Sequence, residues 1–565
     1  MTTVGLLLRP DAYLTESADG VYVLTHQGPV MLTGRSVYGL LSRLAPYLDG
    51  QHTLAELTAD LSVERQEIVA KLIGTLTECG VVREVDSPSS NDASPEARYL
   101  GYFQDSPVRT LLEYRALRTT VLGDGPVADA VVRAAVRSGL SDVRTESSSA
   151  DLVFHVTDSF EGLSHEGRVG QIVLRGSHAW LGIDAPWESV RRRLTARGQD
   201  SLGSAVTSSA MATVLATRLV HSVFRVVTGL DSPRPDRVTR VDLSTLEDSV
   251  HTVVPFSPSV TSTVSTEILD SETFNRRAVA CADNRLGLFS DPDERSLAQI
   301  PLRVCEISVS DPVGLLGSVP VVTGTGLDFP TARLRAALRA FACYGSLMVD
   351  EARVRDEFVT GYSLDGLSPV PVPAKVAFPV LAGSHSLVGV AAGYSWEEAV
   401  TTGLADHCRS LTIAAVDRAR GRIDLAAAPL DAAGARYRSM LAAIGLPVTV
   451  YDITHNLPTF VAHVDNVPAG CATALTATDA LTETLSQAIL TYQARENGET
   501  VYAPPPPPAM PVVDTVVPLP TSVDLATAAA TLTKQGHRPV AVPLDHDPEA
   551  AKIMPHMVRV VLLDD

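Results

Sequence analysis

The stretch TTVLGDGPVA, residues 119–128, determines the fold class of this 565-residue chain. Thr119–Leu122 is a β-prone run, and a glycine-containing turn at Gly123–Ala128 leads into a segment with helical periodicity. The apolar positions that continue this periodicity are Val131, Val132, Ala135 and Val136. A strand, a tight glycine turn and a helix form the building unit of Rossmann-like domains. We therefore expect an α/β chain with a Rossmann-like middle domain, which we place at residues 99–230.

The same turn gives little support for a bound nucleotide. Pro126 lies inside it, and no acidic residue closes the following strand, where a ribose-binding carboxylate is expected. Asp151–Val156 is a further candidate for a buried strand, and an Ala- and Val-rich helix is expected at residues 204–227. We interpret this domain as a docking scaffold, and nucleotide binding is the alternative.

Residues 1–86 form a separate, winged-helix-like pattern. Tyr22–Thr25 and Pro29–Thr33 are short β-prone runs on either side of His26–Gly28, which predicts a hairpin. Three helices are expected after the hairpin, and the polar, Ser- and Pro-rich residues 87–96 predict a linker.

Local signals place the three helices. The first covers residues 36–48 and stops at Asp49–Gly50, and the second opens with a capping box at Thr53–Glu56. Ser62 is the expected N-cap of the third helix. The apolar residues of that helix recur at helical spacing and are Ile68, Val69, Leu72, Ile73 and Leu76.

The C-terminal half contains a series of short motifs. They are Ala278–Ala280 followed by Arg285–Phe289, Gly324–Gly326, Val388–Gly393 followed by Ser395–Ala399, Tyr451–Thr454, Asp479–Glu483 followed by Gln487, and a β-α-β pattern from Val523 to Leu563. In this order the motifs of residues 276–565 resemble the YcaO domain of enzymes that form thiazolines and oxazolines in peptides. The resemblance implies an opening strand at the first motif, a glycine turn before a helix at the second, and a YcaO-like α/β domain over residues 238–565.

Beside a YcaO domain, the N-terminal module resembles the leader-recognition element of peptide-modifying enzymes, and the middle domain resembles their ubiquitin-activating-like scaffold. In that family the leader peptide adds as a strand to a sheet edge and packs against the third helix. The resemblance implies an edge strand and a groove wall, formed by Val30, Met31, Leu32 and Thr33 and by Val69, Leu72 and Ile73 respectively. The alternative for each apolar residue is a core position.

The family's ATP site lies on three helices, where carboxylates hold the Mg²⁺ ions that bridge the phosphates. Where the resemblance implies glutamates and their supporting residues, the chain has Arg335, Arg339, Ala342, Cys343, Arg409 and Ile489. Positive charge at these positions disfavours a metal. The remaining candidates for nucleotide or metal contacts are Asp406, Glu483 and Gln487, and the alternative for Glu483 is a solvated helix position. A second site at His385, His407 and Asp406 is less favoured.

Composition restricts the partners and the compartment. The net charge of −19 disfavours nucleic acid, and the third helix of the module has only Arg65 and Lys71 as cations, which disfavours DNA binding. No apolar run approaches the roughly 18 residues of a membrane span, and the N-terminus lacks an export signal. We expect a cytoplasmic protein. The six cysteines, at positions 79, 281, 305, 343, 408 and 471, lack zinc-site spacing and are expected in the core.

These patterns predict the leader-peptide-binding component of a cyclodehydratase complex that forms thiazoline and oxazoline rings on a ribosomally made precursor peptide. The chain would itself be a scaffold, with no metal or cofactor of its own, and the sequence does not identify catalytic residues. Its other partners would be an intact YcaO-type protein, a flavin-dependent azoline dehydrogenase or a second copy of itself. The alternative is a catalytically active YcaO cyclodehydratase that uses ATP and Mg²⁺.

Overall fold

The computed structural model describes residues 4–25, 28–86, 94–104, 106–146, 149–198, 208–256, 264–350, 352–354, 357–507, 509, 511 and 513–564. The chain forms two compact units. The first consists of Met1–Ser159, Leu163–Ala185 and Gly203–Ser249, and the second of Phe160–Gly162, Pro186–Leu202 and Val250–Asp565. Strands and helices alternate in both, which confirms the α/β class.

The first unit begins with a module of two small sheets and three helices. Its elements are β1 (Val4–Leu8), β2 (Tyr13–Ser17), β3 (Gly20–Thr25), β4 (Gly28–Thr33), α1 (Val37–Leu44), α2 (Leu54–Thr58), α3 (Val63–Glu78) and β5 (Val82–Asp86). Strands β2, β3 and β4 form one antiparallel sheet in that order, and β1 pairs with β5. The expected hairpin is therefore present, although its turn at residues 26–27 lies outside the described residues.

The second and third helices of the module begin where the capping signals predicted them. Thr53 Oγ1 accepts the backbone N–H of Glu56, whose carboxylate accepts the backbone N–H of Thr53, so the capping box is complete. The first helix is shorter than expected. It ends at Leu44, and Ala45–Tyr47 continues as a 3₁₀ turn because Pro46 lacks a backbone N–H.

Two buried arginines attach the module to the rest of its unit. Arg9 donates to the carbonyl of Tyr102 at 2.9 Å, and Arg83 donates to the carbonyl of Gly101 at 2.5 Å. The expected linker lies mostly at residues 87–93, outside the described part, but its end is helical. Ser94 caps a helix that starts at Pro95, where proline is favoured.

A seven-stranded sheet forms the rest of the first unit. The elements of this part of the chain are α4 (Pro95–Gly101), α5 (Pro107–Arg115), β6 (Arg118–Leu122), α6 (Pro126–Arg137), β7 (Asp142–Arg144), β8 (Leu152–Thr157), β9 (Arg168–Arg175), β10 (His178–Ile183), α7 (Trp187–Ala196), α8 (Ser209–Val227), β11 (Arg237–Asp242) and β12 (Asp248–Thr252). The order β12-β11-β10-β9-β8-β6-β7 has parallel pairing from β9 to β7 and antiparallel pairing of β10 with both of its neighbours. Helix α7 belongs to the second unit.

The strand–turn–helix at residues 118–137 has the expected Rossmann-like geometry. A Cβ at Gly123 would lie 2.1 Å from the carbonyl oxygen of Val156, so only glycine allows β6 and β8 to approach this closely. Pro126 occupies the first turn of α6, a position that suits its fixed φ. The proline therefore belongs to the helix start.

Helix α8 is the one described helix with the length and apolar composition to cross a membrane. The sequence predicted an Ala- and Val-rich helix in this region but no apolar run of membrane-spanning length. Leu215, Leu219 and Val223 of α8 are buried in the core of the first unit. The helix begins at Ser209, and residues 201–207 lie outside the described part.

The second unit is built on three sheets of its own. Its remaining elements are α9 (Ser271–Cys281), β13 (Arg303–Ser308), β14 (Val321–Gly326), α10 (Phe329–Leu347), β15 (Phe358–Ser363), β16 (Pro369–Pro373), α11 (Ala374–Ala377), β17 (Val390–Ala392), α12 (Trp396–Ala415), β18 (Gly421–Ile423), α13 (Ala432–Ile444), β19 (Val448–Asp452), β20 (Thr459–Val464), β21 (Val467–Thr473), α14 (Ala477–Asn497), α15 (Leu525–Lys534), β22 (His537–Pro543), α16 (Pro548–Ile553) and β23 (Met557–Asp564). The sheets have the orders β13-β14, β16-β15-β22-β23-β17 and β18-β19-β20-β21.

Three long helices, α10, α12 and α14, follow directly after strands β14, β17 and β21. Each begins with a polar N-cap whose side chain accepts a backbone N–H, namely Asp328, Ser395 and Thr476. Helix α10 packs on β13 and β14, and α14 packs on β20 and β21. This arrangement fixes the positions of the three helices on which the ATP-site candidates lie.

Several expectations for this half are wrong. Ala278–Ala280 lies in helix α9, which Asp270 caps, and does not form an opening strand. Gly324–Gly326 is the end of β14, with no separate turn. The expected β-α-β pattern is present as β22, α16 and β23, whose strands pair antiparallel, although helix α15 occupies the first part of the expected range. Short apolar runs do not distinguish strand from helix. In the first case the helix begins at the N-cap Asp270, eight residues before Ala278.

The cysteines are buried with one exception. Cys79 is exposed at the end of α3, and the other five are buried. Burial raises the pKa of Cys305, Cys343 and Cys408 to about 12 and that of Cys471 to about 11, so these thiols stay protonated near neutral pH.

Candidate functional site

Strand β4 forms one edge of its three-stranded sheet, since β3 is its single neighbour among the described strands. Its residues alternate between the two faces of the sheet: Val30 and Leu32 point toward the core of the module, and Met31 and Thr33 point away. An edge strand carries unpaired backbone donors and acceptors and can accept a further strand. Val30–Thr33 is therefore placed where strand addition requires it.

The three residues predicted to form the groove wall on α3 differ in how far they are buried. Val69 and Ile73 are each 3% exposed and lie in the core of the module, together with Leu32. Leu72 is half-buried. Among the three predicted wall residues, only Leu72 presents a substantial surface to a ligand in the described structure.

The outer face of the same sheet is apolar. Tyr22 pairs with Met31, and Tyr13 pairs with Leu24, across neighbouring strands. All four side chains are more than two-fifths exposed. Exposed apolar side chains grouped in this way are typical of an interaction surface.

A second group of candidates lies on α10, α12 and α14, whose charged side chains come within electrostatic range of Arg339. We call it the three-helix recess, and it consists of Arg335, Arg339, Asp406, Arg409, Glu483 and Gln487. Arg339 is within electrostatic range of Arg335, Asp406 and Glu483. Its side chain is accessible to solvent, yet surrounding protein desolvates the guanidinium and holds its pKa below the ordinary value. The side chain therefore keeps contact with solvent although protein surrounds part of it.

The two arginines of α10 are one turn apart and anchored in the same way. Arg335 donates to the carbonyl of Thr325 at 3.1 Å, and Arg339 donates to the carbonyl of Thr323 at 2.8 Å. Both acceptors belong to β14, the strand that precedes the helix. The backbone of β14 thus holds one nitrogen of each guanidinium group, and no side-chain pattern in the sequence indicated these acceptors.

Asp406 on α12 is held by two donors. The backbone N–H of Gly389 donates to Oδ2 at 3.0 Å, and Arg409 donates to Oδ1 at 2.6 Å. Gly389 has a φ of +75°, and a Cβ there would lie 2.2 Å from the carbonyl oxygen of Val560. This glycine of the Val388–Gly393 motif is therefore required to bring its N–H to Asp406.

Glu483 and Gln487 are one turn apart on α14. The amide of Gln487 donates to Glu483 Oε1 at 3.4 Å, and its own oxygen accepts the backbone N–H of Cys471 at 3.2 Å. Glu483 is half-buried. Its exposure therefore does not decide between a solvated helix residue and a ligand, the two alternatives that the sequence left open.

These residues do not fit a bound Mg²⁺–ATP. Mg²⁺ prefers carboxylate and water oxygens in near-octahedral geometry, but the recess offers two carboxylates, Asp406 and Glu483, and three guanidinium groups. Asp406 already bonds Arg409. Among the described residues no group of three or more His, Cys, Asp and Glu side chains could hold a metal.

The other candidates lie apart from one another or in the core. Ala342, Cys343 and Ile489 are buried. His407 Nε2 lies 2.8 Å from the carbonyl oxygen of Val560, and burial lowers the pKa of both His407 and His385. Neither histidine joins Asp406 in a metal-binding group within the described structure.

A buried charged cluster was missed from sequence. Arg193 Nη1 donates to the Tyr344 hydroxyl at 2.6 Å, and that hydroxyl donates to Asp547 Oδ2 at 2.5 Å. Arg193 also pairs with Asp547 at 3.2 Å, and their side chains are 2% and 1% exposed. The three residues are 151 and 203 positions apart, so no local pattern could have connected them.

Comparison with known proteins agrees with this architecture. A heterocyclase solved in complex with substrate and cofactor is 14% identical, with a TM-score of 0.71 over 99% of this chain and 94% of that chain. The heterocyclase TruD is 14% identical, with a TM-score of 0.69 over the same shares of the two chains. No curated protein matches the chain. At this low identity the similarity shows the fold alone. The chain has the fold of a heterocyclase along nearly its whole length.

Residues 349–516 match the model of the YcaO cyclodehydratase family, which is described as binding ATP and Mg²⁺. This match identifies a YcaO domain at residues 349–516 and confirms the resemblance for the motifs from Val388 to Gln487. Helices α12 and α14 lie within the match, whereas α10, with Arg335 and Arg339, precedes it.

Proposed function

We propose that this chain is a peptide-binding component of a YcaO-type cyclodehydratase system that forms azoline rings on a ribosomally made precursor. The observation that carries the proposal is the YcaO domain at residues 349–516. The heterocyclase with a similar fold over its whole length was solved with a substrate, which supports a substrate for this chain as well.

The leader of the precursor would bind at the β4 edge. A strand added there gains backbone hydrogen bonds, while its alternate side chains extend the two faces of the sheet. On one face they would meet Leu72 of α3, and on the other they would lie beside Met31 and Tyr22. Apolar contacts on both faces would give the added strand its register.

The ATP-dependent step would take place on another chain. Two carboxylates and three guanidinium groups in the three-helix recess oppose a metal-bound nucleotide. An intact YcaO-type protein is the partner that this proposal requires, and a flavin-dependent azoline dehydrogenase is a second expected partner. A homodimer remains the simplest assembly, and we place the system in the cytoplasm.

Catalysis by this chain itself is the second candidate, and the comparisons favour it over a scaffold. The matched family is described as binding ATP and Mg²⁺, and the similar heterocyclase was solved with a cofactor. The two candidates differ in one requirement: a catalytic chain must form rings without a second YcaO protein.

Calorimetry of the full-length protein with its precursor peptide tests the binding site. We expect Leu72→Glu to weaken binding at least about tenfold, because it places a charge against the apolar side chains of the leader. Val63→Glu is the matched control, since Val63 is 73% exposed near the start of the same helix. Equal binding by both variants would contradict the proposed site.

Mass spectrometry of the precursor distinguishes scaffold from enzyme. We expect the loss of water that accompanies ring formation only when an intact YcaO partner is added to this chain, precursor, ATP and Mg²⁺. Ring formation by this chain alone would establish the second candidate instead.

A further inference from the structure

Arg335 and Arg339 differ from the neighbouring arginines in their partners. Arg333, on the same helix, forms an ion pair with Glu294 at 2.5 Å, and Arg409 forms one with Asp406 at 2.6 Å. Within the described part of the chain, neither Arg335 nor Arg339 has a carboxylate within ion-pair distance; each bonds a backbone carbonyl of β14 instead. A guanidinium group has five N–H donors, so most donors of both side chains remain available.

The surroundings of Arg339 do not compensate its charge fully. Surrounding protein desolvates the guanidinium group in part, and the nearby Arg335 adds a like charge. Asp406 and Glu483 act in the opposite direction, but Asp406 is already paired with Arg409. With three guanidinium groups and two carboxylates, the recess has an excess of one positive charge. A partly desolvated cation without a close partner is costly, and a bound anion removes that cost.

We propose that the three-helix recess binds a polyphosphate anion directly on Arg335 and Arg339, without a divalent cation. Guanidinium groups bind phosphate oxygens in a bidentate manner. Side chains one helical turn apart have Cβ atoms about 5–6 Å apart, which allows each to contact a different phosphoryl group of one ligand. The ligand class is a pyrophosphate unit, either free or as part of a nucleotide.

In this arrangement Mg²⁺ would oppose binding of the phosphate ligand, whereas in a carboxylate-lined site it promotes binding. In a carboxylate-lined site Mg²⁺ is required, because it neutralises both the protein and the phosphates. Here the protein supplies the positive charge, so Mg²⁺ bound to the ligand competes with the arginines. Mg²⁺ is therefore expected to weaken binding.

Calorimetry of the full-length protein with pyrophosphate and with ATP, each in EDTA and in excess Mg²⁺, tests the proposal. We expect binding in EDTA that is weaker in Mg²⁺, and a loss of about tenfold or more in each of Arg335→Ala and Arg339→Ala. Arg333→Ala is the control on the same helix and should bind like the wild type. Tighter binding of ATP than of pyrophosphate would identify a nucleotide, and equal binding would identify the free polyphosphate.

Three results would overturn the proposal: no binding of either probe in EDTA, binding that requires Mg²⁺, or equal binding by all three variants. Arg339→Lys keeps the charge but loses the bidentate geometry, and it replaces Arg339→Ala if the latter does not fold. The inference rests on the proposed function only in taking the recess to be free of metal chemistry. Failure to bind the anion would leave the peptide-binding proposal intact, and failure of Leu72→Glu to weaken peptide binding would leave the anion site intact.

Discussion

Helix α10 contributes to two charged clusters, which differ in how their charges are satisfied. Near its C-terminus, Tyr344 joins Arg193 and Asp547 in a buried cluster in which each member bonds the other two. Nearer its N-terminus, Arg335 and Arg339 face the three-helix recess and bond only backbone carbonyls among the described residues.

The difference separates a structural role from a binding role. A buried ion pair whose donors and acceptors are satisfied offers nothing to a ligand, and removing one member leaves an uncompensated charge. Arg335 and Arg339 are accessible to solvent and have no ion-pair partner among the described residues, so their remaining N–H donors can bind a ligand. One helix therefore stabilises the second unit at one end and presents a binding surface at the other.

The largest expected effect is on stability, from Asp547→Ala. This change leaves Arg193 buried without its carboxylate and removes the N-cap of α16. We expect a loss of about 3–5 kcal/mol in the free energy of unfolding, measured by urea denaturation. Glu549→Ala, which breaks an exposed pair with Lys552, should cost less than about 1 kcal/mol. Equal losses in the two variants would remove the structural role assigned to the buried cluster.

His546, the residue before Asp547, makes the stability of the region around the buried cluster depend on pH. Burial, with a smaller effect from Arg353, lowers its pKa from 6.5 to about 3, and its Nδ1 accepts the backbone N–H of Asp350. The folded state keeps this histidine neutral, so its stabilisation is complete above pH 6.5 and is lost as the pH falls toward 3.

Unfolding experiments at several pH values measure this contribution. For this residue alone we expect up to about 1.4 kcal/mol of stability to be lost per pH unit below its unfolded pKa. His546→Gln keeps an acceptor and should reduce the slope relative to the wild type. Parallel stability curves for the two proteins between pH 6.5 and pH 4 would contradict the assigned pKa, because the other buried histidines are common to both.

The smallest expected effect on stability is that of Arg339→Ala. Since this side chain has no ion-pair partner in the described structure and is accessible to solvent, we expect a change within about 0.5 kcal/mol, measured by the same urea denaturation. A loss comparable to that of Asp547→Ala would make the recess a structural cluster like the one at the other end of α10.

Local signals in the sequence predicted much of the fold. Thr53–Glu56 defined a helix start, Gly123–Ala128 defined the Rossmann-like turn, and Ser395–Ala399 marked the start of α12. In each case the determining contacts lie within a few residues or follow from backbone sterics. The strand expected at Ala278–Ala280 was wrong because a short apolar run suits either element, and the helix signal lay farther upstream at Asp270.

The candidate sites were predictable only in part. Motif spacing placed Asp406, Glu483 and Gln487 on the helices that form the recess, but no pattern revealed the carbonyl partners of the arginines or the N–H of Gly389. In the N-terminal module, helical periodicity could not separate the buried Val69 and Ile73 from the half-buried Leu72. The choice between core and groove depends on what packs against the helix, which lies far away in sequence.

Phosphate release from ATP by the purified full-length protein tests the central claim, that the three-helix recess does not carry out Mg²⁺-dependent ATP chemistry. With precursor peptide and Mg²⁺ present and no second YcaO protein, the account predicts no phosphate release above the buffer control, because guanidinium groups stand where metal-binding carboxylates are required. Mg²⁺-dependent phosphate release that disappears in Glu483→Ala would contradict the account and show that the recess is a working ATP site.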